Sequence, residues 1–169
     1  MMMKFDLFVI GGGSGGVRAA RIASSNGFKT GLAEGWTIGG TCVNRGCIPK
    51  KLYSYASIFH EESMIMQSFG WSSEKNRFNW NKLRLNKTKE LKRLNEIYFN
   101  LLKKSKVNIF PYNAEFIDNN TIKVNEKIIQ AKNILISVGT KPRNLNLCKE
   151  KKIISSDEAF DLKKLPQKI

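Results

Sequence analysis

The sequence has few residues that could bind a transition metal. It contains three cysteines, Cys42, Cys47 and Cys148, and one histidine, His60. A structural zinc site needs about four cysteine or histidine ligands. We therefore predict no metal site, and we interpret His60 as an ordinary surface or half-buried side chain. Cys148 is far along the chain from the other two and is interpreted as a thiol without a role in the chemistry.

Long hydrophobic runs are also missing. No apolar stretch approaches the roughly 20 residues that a membrane-spanning helix needs. The N-terminal run MMMKFDLFVIGGG passes straight into glycines, without the small-residue cleavage site of a signal peptide. We therefore expect no membrane association and a cytoplasmic location. In that reducing compartment, a spaced cysteine pair is more often catalytic or metal-binding than structural.

Acidic residues are scarce, and the formal net charge is +15. Such a charge can indicate a nucleic-acid partner, but the basic residues are scattered and form no dense block. We therefore predict no nucleic-acid binding, whereas an anionic small substrate remains compatible with the charge. The length of 169 residues fits one domain, or one large domain with a small appendage.

The first 35 residues have the pattern of a dinucleotide-binding unit. An apolar, strand-like run at 5–10 leads into G-x-G-x-x-G at Gly11, Gly13 and Gly16. A helix is predicted from about 14 to 26 and a second strand over 29–33, with Glu34 at its end. A lone glycine motif is weak, but here the strand, the helix and the acidic residue all have the expected spacing.

Each part of this pattern has a physical role. The first glycine allows the tight turn, the second lets the backbone approach a pyrophosphate, and the third lets helix and strand pack closely. The helix N-terminus faces the phosphates. Glu34 would accept hydrogen bonds from an adenosine ribose and repel a 2′-phosphate. The segment is therefore predicted to bind FAD or NAD, and not NADP.

The segment GGTCVNRGCIPKKL places Cys42 and Cys47 five positions apart. On a regular helix such residues lie about 7.5 Å apart along the axis and about 140° apart around it, beyond disulfide reach. The backbone between them is therefore predicted to be irregular, and Pro49 to lie in the first turn of a helix that continues through 59. Lys50, Lys51, Arg45 and that helix N-terminus favour a thiolate. The pair is interpreted as redox-active.

The remainder of the chain predicts one long helix followed by short strands. Apolar residues recur at helical spacing from about 78 to 105, and this helix either packs antiparallel on the helix that starts near Cys47 or forms a coiled coil with a partner. Strands are predicted at 112–117, 121–124 and 127–129 as an antiparallel meander. A further strand over 133–138 looks buried and ends in Gly139.

These segments resemble a known family. VIGGGSGGVRAAR, GGTCVNRGCIPKKL and ILISVGTKP are similar to the class I pyridine nucleotide–disulfide oxidoreductases, which are two-cysteine flavoenzymes. The Pro49-Lys50-Lys51 segment looks like that of glutathione reductases and their thioredoxin reductase relatives. Dihydrolipoamide dehydrogenases and mercuric reductases usually have serine at position 50. The resemblance implies an α/β fold, namely a Rossmann-like FAD-binding domain with a parallel sheet, helices and a small antiparallel meander.

The resemblance also implies roles for individual residues. In the family, electrons pass from NADPH to the flavin, then to the disulfide and then to the substrate. By position, Cys47 would be the thiol beside the flavin, Cys42 the outer thiol that attacks glutathione disulfide, and Lys50 a neighbour of the reactive flavin nitrogen. The implied FAD contacts are Gly11, Gly13, Ser14, Gly15, Gly16, Glu34, Gly40, Thr41, Cys42, Cys47, Lys50, Ala114 and Gly139.

By the same resemblance, residues 1–165 would be the FAD-binding domain with the redox disulfide. Residues 166–169 would begin the NADPH-binding domain of a longer, homodimeric enzyme. A substrate of thioredoxin, trypanothione or dihydrolipoamide type is a second hypothesis beside glutathione disulfide. The sequence is also compatible with a stand-alone FAD-binding module and with a basic interaction protein that contains a Rossmann-like unit.

Overall fold

The computed structural model describes residues 2–72, 77–143 and 153–168. The strands are β1 (Met3–Ile10), β2 (Thr30–Ala33), β3 (Asn108–Phe110), β4 (Ala114–Phe116), β5 (Thr121–Val124) and β6 (Lys127–Ile136). The helices are α1 (Ser14–Ser25), α2 (Gly40–Arg45), α3 (Cys47–Ser68), α4 (Trp80–Lys104) and α5 (Ser156–Ala159). Within these residues, no helix has both the length and the apolar character needed to cross a membrane.

All six strands form one mixed sheet in the order β3-β2-β1-β6-β5-β4. Strands β3, β2, β1 and β6 run parallel, while β5 is antiparallel to both β6 and β4. In this register Ile10, at the end of β1, pairs with Ala33 and with Ile136. The carboxyl ends of β1, β2 and β6 therefore meet at one edge, which is where ligands bind in sheets of this type.

The parallel sheet and the antiparallel meander were both predicted, but their connection differs from the prediction. The predicted strands 127–129 and 133–138 are one continuous strand, β6, which belongs to both parts of the sheet. The predicted strand over 112–117 is confined to β4. Strand β3, which pairs in parallel with β2, was not predicted, because three residues are too few for a periodic pattern.

The expected burial of 133–138 is wrong. Leu135, Ile136 and Val138 are exposed, Ile136 by 61%. The first part of β6 lies between β1 and β5, and there Ile129 and Ala131 are buried. The pairing with β5 ends near Gln130, so that β1 is the only strand beside the second part of β6 among the described residues.

Two apolar clusters cover opposite faces of the sheet. Neighbouring residues of β1 point to opposite faces, so that Phe8 belongs to one cluster and Val9 to the other. Phe5, Phe8 and Phe110 pack edge-on or tilted in the first cluster, with ring centroids 5.5 to 6.0 Å apart. The second cluster joins the sheet to α1 and α4. The glycine turn therefore follows a buried strand end, since Phe8, Val9 and Ile10 are all buried.

Helix α4 packs antiparallel to α2 and the beginning of α3. Tyr53 in α3 stacks on Trp80 at the start of α4, with ring centroids 5.3 Å apart. Asn44 in α2 accepts a 2.9 Å hydrogen bond from Asn95, farther along α4. The contacts thus run in opposite order along the two segments, as predicted. Helix α3 continues through residue 59, as predicted, and on to Ser68, and its second half is largely exposed.

The segment after residue 152 is held against these helices by polar side chains. The Lys87 ammonium is 5% exposed and donates to the Phe160 carbonyl at 2.8 Å and to Asp161 Oδ1 at 2.7 Å. Tyr53 Oη also donates to the Phe160 carbonyl, at 2.8 Å. A buried ammonium is costly unless it is paired and hydrogen-bonded, and this segment supplies both partners. Helix α5 therefore has a defined position.

Candidate functional site

A large pocket lies at the carboxyl ends of β1, β2 and β6. Its volume is about 1050 Å³, at the upper end of the range of about 300 to 1,000 Å³ that is typical of ligand sites. Eleven predicted site residues line it: Gly11, Gly13, Ser14, Gly15, Glu34, Gly40, Thr41, Cys42, Cys47, Ala114 and Gly139. The fold thus brings the glycine turn, the acidic residue and the cysteine pair to one cavity.

The glycine turn leads directly into α1. Gly11 has φ +107°, and a Cβ atom there would lie 2.4 Å from the Ser137 carbonyl oxygen, so that only glycine fits. Helix α1 begins at Ser14, and its first turn contains no acidic residue and no side-chain cap. Its N-terminal amides are therefore available to an anion. A Cβ atom at Gly15 would meet nothing within 4 Å, which leaves this turn open to the pocket.

Glu34 is fixed by two backbone hydrogen bonds. Gly12 donates its N–H to Oε2 at 2.7 Å, and Trp36 donates its N–H to Oε1 at 2.8 Å. Each carboxylate oxygen can accept a further hydrogen bond. A pair of ribose hydroxyls would satisfy this remaining capacity. Together with the open turn and the free amides of α1, these residues fit a dinucleotide with an unmodified adenosine ribose.

Two predicted site residues are not part of the pocket lining. Gly16 is buried beneath the turn, where a Cβ atom would lie 1.8 Å from the Gly11 carbonyl oxygen. It therefore serves the close packing of helix and strand. Lys50 is exposed in the first turn of α3, and its backbone N–H donates to Gly46 at 3.0 Å. Its predicted position beside the flavin remains a prediction.

The backbone between the cysteines is irregular, as predicted. Cys42 lies in α2, the helix breaks at Gly46, and Cys47 is the first residue of α3. Val43 is buried and anchors α2. Pro49 lies in the first turn of α3 and is also buried. The short helix α2 was not predicted, since six residues are too few for a recognisable apolar face.

Both cysteines of the pair are free thiols, and Cys47 is the more exposed. The hydrogen bond with the Cys47 thiol raises the pKa of Cys42, and partial burial raises it further. A hydrogen bond with the Cys47 backbone lowers it by a smaller amount. The expectation that neighbouring cations favour the thiolate therefore does not hold for Cys42. It retains its proton to higher pH and can donate a hydrogen bond to Cys47.

Removing the Cys47 thiol should lower the pKa of Cys42. We expect the pH midpoint of Cys42 alkylation by iodoacetamide to move to lower pH in Cys47→Ala, because the main cause of the raised pKa is lost. The rates are measured by mass spectrometry of the reduced chain, with Cys148→Ser in both proteins so that one thiol is followed. An unchanged or higher midpoint would show that the Cys47 thiol does not hold the Cys42 proton.

Comparison with known families agrees with this site. Residues 5–169 match the family model of the pyridine nucleotide-disulphide oxidoreductases. The chain belongs to this family. Membership implies a flavin cofactor, and it accounts for the glycine turn and the cysteine pair in one pocket.

Several curated relatives are similar over nearly the whole chain. A glutathione reductase of Burkholderia cepacia is 42% identical over 98% of this chain and 37% of its own length. The chloroplastic/mitochondrial glutathione reductase of Pisum sativum is 42% identical over 98% of this chain and 32% of its own length. A thioredoxin reductase of Emiliania huxleyi is 35% identical over 96% of this chain and 36% of its own length. This chain thus spans about a third of the length of these relatives.

Several residues of the site were not predicted to contact a cofactor. Trp36, Arg45, Tyr112, Asn113 and Asp157 line the pocket together with the predicted residues. Asp157 lies between Ser155 and Glu158, whose side chains form a capping box at the start of α5. That signature locates the helix, but not its contact with the cysteine segment.

His60, the one histidine of the chain, is exposed on α3, as expected. Cys148 lies outside the described residues. Within residues 2–72, 77–143 and 153–168, no group of three histidine, cysteine or acidic side chains could hold a metal ion.

Proposed function

We propose that this chain is the FAD-binding and redox-disulfide part of a glutathione-disulfide reductase. Electrons would pass from NADPH through FAD and the Cys42–Cys47 pair to glutathione disulfide. The observation that carries this proposal is the shared pocket: the dinucleotide-type turn and both cysteines line one cavity. The glutathione reductases at 40 to 42% identity support the choice of substrate.

The pocket residues would hold FAD along its length. Glu34 would accept hydrogen bonds from the adenosine ribose, beside Ala114. The N-terminal amides of α1 would bind the pyrophosphate, and Thr41 and Gly139 would contact the cofactor nearer the cysteines. When bound, FAD supplies the two-electron link between NADPH and the disulfide. Lys50 would lie near its reactive ring.

The cysteine pair would reduce glutathione disulfide by two exchange steps. Cys42 releases its proton to solvent and attacks one sulfur of glutathione disulfide. A mixed disulfide forms on Cys42, and the first glutathione thiolate leaves with the proton from Cys47. The Cys47 thiolate then attacks the Cys42 sulfur, which restores the Cys42–Cys47 disulfide and releases the second glutathione thiolate. Two protein thiols are oxidised and one glutathione disulfide is reduced.

The same proposal covers the wider setting of the chain. Residues 1–165 would be the FAD-binding domain, and 166–169 would begin the NADPH-binding domain of a homodimeric, cytoplasmic enzyme. A thioredoxin reductase is the second candidate, since the relative from Emiliania huxleyi also covers nearly the whole chain. The two candidates differ in the disulfide that oxidises the reduced pair.

Thiol trapping tests the proposal. The chain with added FAD is reduced with dithiothreitol, freed of it, and then mixed with glutathione disulfide before thiols are mass-tagged. Cys42 and Cys47 should both become unreactive towards the tag, with two glutathione molecules released per pair, while Cys148 is still tagged. In Cys42→Ser, the remaining pair residue should no longer release two glutathione molecules.

Two outcomes would contradict the proposal. One is pairing of Cys148 with either cysteine, and the other is a reduced pair that does not react with glutathione disulfide. Faster oxidation of the pair by oxidised thioredoxin than by glutathione disulfide at equal concentration would favour the second candidate.

A further inference from the structure

Arg45 lies between the two cysteines and contacts two remote segments of the chain. It is the last residue of α2, one position before the break at Gly46. Its guanidinium carbon lies 4.1 Å from the centroid of the Trp36 ring. Its Nη1 lies 3.4 Å from Asp157 Oδ2 in α5. We call these three side chains, which all line the pocket, the Arg45 cluster.

Both partners of Arg45 have fixed positions. The Trp36 backbone is hydrogen-bonded to Glu34, at the end of the buried strand β2. Helix α5, which carries Asp157, is followed directly by Phe160 and Asp161, to which Tyr53 and Lys87 bind. Arg45 therefore joins the cysteine segment to two anchored parts of the fold. No other side chain between Cys42 and Cys47 reaches both parts within the described residues.

The two contacts differ in strength. A guanidinium over an indole ring changes an equilibrium by about two- to fivefold at an exposed site. The ion pair with Asp157 is longer than an ideal one, and its side chains are 45% and 25% exposed. Solvent screening makes such a pair worth about twofold or less. The stacking on Trp36 is thus expected to dominate.

We propose that Arg45 is a positioning residue, which through Trp36 and Asp157 holds the Cys42–Cys47 segment in the conformation that keeps the two thiols together. This inference rests on the proposed function, because it concerns the same cysteine pair. The geometry points to it: α2 is only six residues long, and Gly46 leaves its end without regular helical structure. The side chain next to that break is the one that contacts both Trp36 and Asp157.

Holding the segment affects a measurable equilibrium. When the reduced pair exchanges with glutathione disulfide, one protein disulfide and two glutathione thiols form. The equilibrium constant of this exchange measures the effective concentration of one cysteine thiol near the other. Contacts that are made when the two thiols are together and lost when the segment opens raise that constant. The increase is at most the factor by which these contacts favour the conformation with the thiols together. Loosening the Arg45 cluster should therefore lower it.

The test compares variants of the 169-residue chain in glutathione redox buffers, with thiols quenched by acid and mass-tagged. Arg45→Met should lower the equilibrium constant by about fivefold, because both contacts are lost. Trp36→Leu should lower it by about threefold. Trp36→Phe, which retains an aromatic ring, should restore a value close to wild type.

A double-mutant cycle separates position from charge. If Arg45 acts through Trp36, then Trp36→Leu has little further effect in the Arg45→Met background. Lys51→Met is the matched control, since it removes a neighbouring positive charge that stacks on Tyr55 at 5.7 Å and not on Trp36. It should behave as wild type. Because the side chains of the cluster are partly exposed, we expect all variants to fold, as checked by thermal unfolding.

The failures of the two proposals can be told apart. If the wild-type pair forms no reversible disulfide with glutathione, the proposed function fails, and this inference fails with it. If the wild-type pair reaches a measurable exchange equilibrium, but Arg45→Met and Trp36→Leu have the same equilibrium constant as wild type, only the positioning role is overturned. An equal effect of Lys51→Met and Arg45→Met would also overturn it, because charge alone would then explain the result.

Discussion

Replacing Gly16 with alanine should strongly destabilise the chain, while the same replacement at Gly15 should leave it folded. A Cβ atom at Gly16 would lie 1.8 Å from the Gly11 carbonyl oxygen and 2.6 Å from Ser137 Oγ. The Gly11 oxygen belongs to the backbone, and Ser137 Oγ donates a hydrogen bond to that same oxygen at 3.1 Å. Neither atom can therefore move freely. We expect a loss of about 3 kcal/mol or more.

Gly15 provides the matched control, because it is the adjacent glycine in the same helix. Nothing lies within 4 Å of a Cβ atom there, and alanine in a helix is favoured over glycine by about 0.5 to 1 kcal/mol. Its methyl group would, however, occupy the open side of the pocket. FAD binding should therefore weaken by about tenfold, because the methyl group would crowd a pyrophosphate at the N-terminal amides of α1.

Thermal unfolding and flavin titration measure the two effects. For a chain of this size, 3 kcal/mol corresponds to a decrease in Tm of about 6 to 12 °C. A Gly16→Ala chain with unchanged Tm would mean that α1 and the turn after β1 do not pack as closely as described. If Gly15→Ala binds FAD with the same affinity as wild type, this turn is not part of the cofactor site.

The parts of the fold that were predictable depend on local backbone requirements. The turn from Gly11 to Gly16 needs residues without side chains at fixed spacing, which makes the strand, helix and Glu34 recognisable in a single segment. The irregular backbone between Cys42 and Cys47 could likewise be derived, because helical geometry alone keeps two such residues apart. These requirements are properties of short stretches of chain.

The parts that were missed depend on partners distant in sequence. Arg45 and Asp157 are 112 positions apart, and no periodicity near either residue indicates the other. The burial of a β-strand depends on which strands lie beside it. Residues 133–138 were expected to be buried because they are apolar, but β5 pairs only with the first part of β6 and leaves them exposed. The raised pKa of Cys42 was missed for another reason: its causes are the nearby Cys47 thiol and partial burial, and none of the cations that surround the pair in sequence is among them.

Glu34→Ala should weaken FAD binding by about 100-fold. A carboxylate that accepts hydrogen bonds from a ribose contributes about 1.5 to 3 kcal/mol for each charged hydrogen bond, and both Glu34 oxygens are already oriented by Gly12 and Trp36. Alanine also leaves these two backbone N–H groups without their partner. Glu34→Gln should lie between wild type and alanine, because its amide retains one accepting oxygen but places an NH₂ group against the other donor. Fluorescence titration of FAD measures all three proteins.

Competition with nucleotides shows whether the loss arises at the ribose. A carboxylate that faces the 2′-hydroxyl repels a phosphate there, so adenosine 2′,5′-bisphosphate should displace FAD from wild type much less effectively than ADP does. In Glu34→Gln this difference should shrink, since the repelling charge is gone. Glu96→Ala controls for the loss of one negative charge, because Glu96 lines a neighbouring cleft and not the cofactor pocket. If Glu34→Ala and Glu96→Ala retain FAD equally, Glu34 does not bind the ribose, and the adenosine end of the cofactor must lie elsewhere in the pocket.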